Sequence, residues 1–88
     1  MCTMIAKKVA LTGSGKGASG WFAVTQADVS YDHPFHIEQE HALNLDFVNE
    51  SLGLDARVAV ELSAADARAL VAAILEVLDE AQEGGHLA

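Results

Sequence analysis

An α+β domain, a four-stranded antiparallel meander with one C-terminal helix packed on one face, is the fold this sequence predicts. Three observations carry that reading. Four segments alternate apolar and polar residues at period two, as half-buried strands do. The stretches between them are short, rich in turn residues and without a helical pattern, so neighbouring strands should pair antiparallel. The final third then changes period, with apolar residues recurring three and four apart.

The first strand is expected over about 5–11, where Ile5, Val9 and Leu11 share a side and Lys7 is the exception. The glycine-rich run GSGKGASG at 13–20 follows and reads as a hairpin loop without regular structure. A long second strand, about 21–31, places Trp21, Ala23, Ala27, Val29 and Tyr31 on one face, with Thr25 out of pattern. Phe22 and Val24 fall in the other phase and, with the edges of the sheet, are expected to need cover from a partner. A homodimer is the simplest source of that cover. The third strand, about 41–48, sets His41, Leu43, Leu45 and Phe47 against Asn44 and Asp46. After a turn at 49–55, Val58, Val60 and Leu62 mark a fourth strand at 57–62. Ser63 is the expected N-cap of a helix over about 64–83, with Asp66 placed as in an acidic capping box and Gly84-Gly85 as the stop. Its stripe runs Ala67, Leu70, Val71, Ile74, Val77, Leu78, Ala81.

Composition narrows what such a domain can do. Residues 1–88 make one domain, and a chain this short buries only roughly 60–65% of the surface it exposes unfolded. Thirteen acids against five bases give a net charge of −8, which argues against nucleic acid and anionic membranes, both of which call for clustered Lys and Arg. No apolar run approaches the ~20 residues that span a bilayer. The start, MCTMIAKK, lacks the order of basic, apolar and small residues that a signal peptide has, and the single cysteine, Cys2, allows no internal disulfide. A soluble, cytoplasmic protein is therefore expected.

The segment YDHPFHIEQEH at 31–41 carries three of the four histidines and the only proline. In a meander, His33 closes strand two, His41 opens strand three, His36 lies in the link, and Cys2 precedes strand one at the same end of the sheet. Imidazole and thiolate suit zinc, copper, nickel or iron, so His33, His36 and His41, with Cys2 as a possible fourth ligand, form a candidate divalent-metal site. Three histidines and an open position would suit a metalloenzyme, and a fourth ligand would close the site into a structural one. Removal of Met1 would leave Cys2 with a free α-amine, a further chelating and nucleophilic arrangement.

Two other readings use the same place. The helix N-terminus, with its partial positive charge, should begin at this end of the sheet, which disfavours a cation and suits an anionic ligand. A metal-free site would then use Tyr31 as an aromatic wall beside His33, His36 and His41, as a binding or accessory module. Alternatively one histidine is the general base of a cofactorless enzyme. The plainest alternative is a polar interstrand link in which these are ordinary loop residues. The echo of a phosphate loop in GSGKG fails, because no Ser or Thr follows Lys16 and no helix follows the glycines. Glu38 and Glu40, two apart on a link, do not mark an acid/base pair.

Several of these stretches together, the opening Met-Cys-Thr, GSGKGASGWF, YDHPFH, EHALNLDFVN and RVAVELSAADARALVAAI, resemble a family of short bacterial proteins known as a domain of unknown function. The resemblance spans Met1 to about Leu78. It implies no reaction, cofactor or partner, and adds no site residue to those above.

Overall fold

A computed structural model describes residues 5–87. Four strands, β1 (Ile5–Gly17), β2 (Gly20–Asp32), β3 (Ala42–Val48) and β4 (Arg57–Leu62), pair antiparallel in the order β1-β2-β3-β4. One helix, α1 (Ala64–Glu83), follows and packs against the sheet through β3 and β4. Ser63 caps it, its hydroxyl accepting the Asp66 N–H at 3.1 Å.

Register explains the two faces. Tyr31, Leu43 and Leu62 lie in one cross-strand row, and Val29, Leu45 and Val60 in the next. These rows face α1. The alternate rows, Ser30-Asn44-Glu61 and Asp28-Asp46-Ala59, form a polar face turned away from it. On that polar face the Arg57 guanidinium holds the Asp46 carboxylate, with Nε 2.7 Å from Oδ1.

The glycine run departs from its expected loop. β1 continues through Gly17, and only Ala18 and Ser19 separate it from β2. Between the Ala10–Gln26 and Gly13–Val24 pairs, Leu11 and Thr12 face Thr25 alone, a one-residue bulge that bends and twists the hairpin. Beyond the bend the hairpin curls toward β4, although β1 and β4 are opposite edges of the sheet. A Cβ on Gly15 would sit 3.0 Å from Val24 Cγ2 and 3.6 Å from Val58 Cγ2. On Gly17 it would meet the Phe22 ring at 3.1 Å and the Asp55 carbonyl oxygen at 3.4 Å. Glycine serves here for close approach of strands, not for looseness. The same curl changes the fate of Val24. Expected on the far face and in need of a partner, it is 5% exposed and shares a hollow with Leu11, Phe47 and Val58.

The turn after β3 is also built, not merely polar. Asn49, 7% exposed, donates from Nδ2 to the Ala23 carbonyl at 3.0 Å and accepts from the Ser51 N–H and hydroxyl at 3.1 and 2.6 Å. It caps a short 3₁₀ turn, Glu50–Leu52, and ties it to β2.

Little else is buried. Val24, Ala27, Ala42 and Ala56 are the buried apolar residues among those described, and no large side chain is fully enclosed. The radius of gyration is 14.9 Å, against about 12 Å for a compact chain of this length. Leu70, Val71, Ile74, Leu75, Val77 and Leu78 of α1 are all 44% exposed or more.

Candidate functional site

The candidate site lies at the end of the sheet where β2 stops and β3 starts. Tyr31 is in the last row of β2 on the side that faces α1, paired with Leu43. His41 stacks on Tyr31 with ring centroids 5.7 Å apart and planes at 19°. His33 stacks in turn on His41, at 4.9 Å and 24°. Period two accounts for the sharing of a side: Tyr31 pairs with Leu43, and His33 and His41, just past the end of β2 and just before β3, continue the same phase. The polypeptide makes a continuous ladder of three flat rings there.

His33 is oriented by its neighbours. Its backbone N–H donates to Asp32 Oδ1 at 2.8 Å, and its Nδ1 lies 2.9 Å from the Glu40 carbonyl oxygen. A carbonyl can only accept, so Nδ1 is the donor in this bond.

His36 goes elsewhere. The link between β2 and β3 folds over the polar face, where one carboxylate holds it. Glu61 Oε2 accepts the Phe35 N–H at 2.7 Å, and Oε1 accepts those of His36 and Ile37 at 2.9 and 3.1 Å. His36 therefore lines a hollow with Phe35, Ile37, Arg57, Ala59 and Glu61, across the sheet from the face that carries Tyr31. The backbone hydrogen bond from Phe35 is the main cause holding the Glu61 carboxyl below its ordinary pKa, helped by those from His36 and Ile37 and by the His36 charge, against a desolvation effect that raises it.

Of the sequence candidates, then, Tyr31, His33 and His41 come together and His36 does not join them; Cys2 lies outside the described residues. Among those described, no three of His, Cys, Asp or Glu are grouped to hold a metal ion. The stack itself explains part of this. A metal binds in the plane of each imidazole about 2.0–2.1 Å from the nitrogen, and two nearly parallel rings do not aim their in-plane lone pairs at one point.

Tyr31 also borders a hollow of about 410 Å³, walled by Leu43 of β3 and by Ala64, Ala67 and Arg68 of the first helical turns. This size lies within the range of about 300–1,000 Å³ common to small-molecule sites. Arg68, the one basic residue of α1, belongs to no motif in the sequence. Glu61 was equally unmarked, as an outward residue of β4.

Fold and site together define a small α+β domain with an aromatic–histidine ladder at one open end of its sheet. The chain belongs to the family of unknown function DUF6295, whose profile matches residues 1–87. No curated protein and no solved structure matches it. Among the described residues no helix is long and apolar enough to cross a membrane.

Proposed function

We propose that this protein is a metal-independent binding module of the cytoplasm that holds a small, flat, anionic molecule in the hollow beside Tyr31. One observation carries the reading. The ring of Tyr31, backed by His41 and His33, forms one wall of a hollow whose other walls are apolar, from Leu43 and Ala67, and cationic, from Arg68. An aromatic ring fits against such a wall, and a carboxylate fits beside a guanidinium at the positive end of a helix. An aromatic carboxylate is the ligand class that satisfies all three walls.

The test is thermal unfolding with 2-naphthoate in excess chelator. A ligand that binds only the folded state raises the midpoint in proportion to its occupancy. Stabilisation that survives chelator and is lost in both Tyr31→Ala and Arg68→Ala supports the reading. No stabilisation at millimolar naphthoate contradicts it.

A second reading keeps the histidines as metal ligands. The observation in its favour is the His33 Nδ1–H bond to the Glu40 carbonyl, since metal-bound histidines donate their other ring nitrogen in this way. His33, joined by Cys2 and by His36 or His41 only after the rings leave the stack, would then hold zinc or a similar divalent ion. Elemental analysis of protein purified without a histidine tag separates the two readings: stoichiometric metal, lost in His33→Ala, favours the second.

A further inference from the structure

We propose that the open apolar cleft between α1 and the sheet is closed by α1 of a second copy of this chain, the two helices running antiparallel across a two-fold axis at Ile74. The cleft has a volume of about 680 Å³ and lies between residues such as Val9, Val29 and Leu45 of the sheet and Val71, Ile74 and Leu75 of the helix. Its walls are apolar apart from Arg68, and none of the described residues fills it.

The extent of exposed surface fits a missing copy. The chain exposes 6801 Å². A folded monomer of 9.3 kDa exposes roughly 5,000 Å² by the usual scaling with mass. The excess, on the order of 1,000–2,000 Å², is at least the ~800 Å² that each partner contributes to a standard stable interface. Among the described residues no large side chain is fully enclosed, a thin core for a lone domain.

The helix sequence favours a second copy over an unrelated partner, because its apolar stripe is palindromic. Read outward from Ile74, Val71 matches Val77, Leu70 matches Leu78, and Ala67 matches Ala81. A two-fold contact is self-complementary, residue i meeting j while j meets i, and an antiparallel crossing at Ile74 sets Val71 against Val77 and Leu70 against Leu78, with Leu75 facing the smaller Ala73. Charge points the same way. The second half of α1 carries Glu76, Asp79, Glu80 and Glu83, and the first half carries its single base, Arg68. Parallel packing would bring the acidic ends together. Antiparallel packing separates them, sets each Arg68 alongside the acidic last turns of the other helix, and opposes the two macrodipoles. The proposal does not depend on the ligand reading of the preceding section.

The test uses the full chain with Cys2→Ser, so that an added cysteine is the single thiol. Sedimentation equilibrium of this background should give twice the 9.3 kDa chain mass. Ile74→Cys, at the axis, should then form a reducible covalent dimer under mild oxidation. Glu76→Cys, on the opposite side of the helix, should cross-link several-fold more slowly. Ile74→Asp, which sets two carboxylates face to face, should shift the background to monomer or unfold it. A monomeric mass for the background overturns the proposal, as does a failure of Ile74→Cys to cross-link faster than Glu76→Cys.

Discussion

The Glu61 carboxylate accepts the backbone N–H of His36 at 2.9 Å, and this bond decides which side of the sheet that histidine occupies. Because Phe35 and Ile37 donate to the same carboxylate, the link from β2 to β3 is pinned to the polar face over β4. Tyr31, His33 and His41 are left as a set on the other side. One acceptor thus separates residues that strand topology alone would gather.

Acid should release the link. The folded Glu61 pKa is depressed, so its anchoring is fully present above the unfolded value and is lost as pH falls through the lower folded value. The Phe35 and His36 amide resonances should therefore move with a common midpoint below the ordinary glutamate value of about 4.3. In Glu61→Gln that transition should vanish at once, and exchange of the 35–37 amides should be faster at neutral pH. A midpoint at or above the ordinary value contradicts the anchoring role.

Asn49 should be among the costliest polar residues to remove. Truncation to Ala removes the partner of the Ala23 carbonyl and of the Ser51 donors; Ser51 is exposed and can turn to water, so the loss should be about 0.5–1.5 kcal/mol. Urea unfolding of Asn49→Ala should show a lower midpoint with an unchanged slope. Asn49→Asp should recover part of the loss, since it keeps the acceptor for Ser51 while losing the donor to Ala23.

Gly15→Val tests the curled hairpin. Even the first carbon of the new side chain lands 3.0 Å from Val24 Cγ2, with Val58 and Phe22 at 3.6 and 3.7 Å from the same carbon, so its two further methyls have little room. Overpacking of this kind costs about 1–3 kcal/mol. Ser14→Val, one residue away in the alternate phase, should cost less. Equal effects in the two would mean that the glycines are there only as a flexible loop.

Much of this fold is legible in the sequence because the signals are periodic. Leu43, Leu45 and Phe47 show β3, Val58 to Leu62 show β4, and Ser63 with Asp66 fixes the helix start within a residue. The glycine run is harder. Composition reads as a loop, and the cue against it, glycine at 15 and 17, is a spacing of two that marks close approach only once Val24 and Phe22 are known to press on those positions. The site was half legible. Strand phase unites Tyr31, His33 and His41, but nothing in His36 reveals that a carboxylate twenty-five residues on will draw it across the sheet. An outward glutamate on a strand reads as solvated surface. Arg68 gained meaning only from its place beside Tyr31.

The most direct measurement is a ¹⁵N-correlated NMR titration of the full chain with 2-naphthoate in the presence of chelator. Saturable shifts confined to Tyr31, Leu43, Ala67, Arg68 and their neighbours, with His36 unmoved, are the predicted result. Shifts centred on His36, or none at all, would contradict a metal-independent ligand site beside Tyr31.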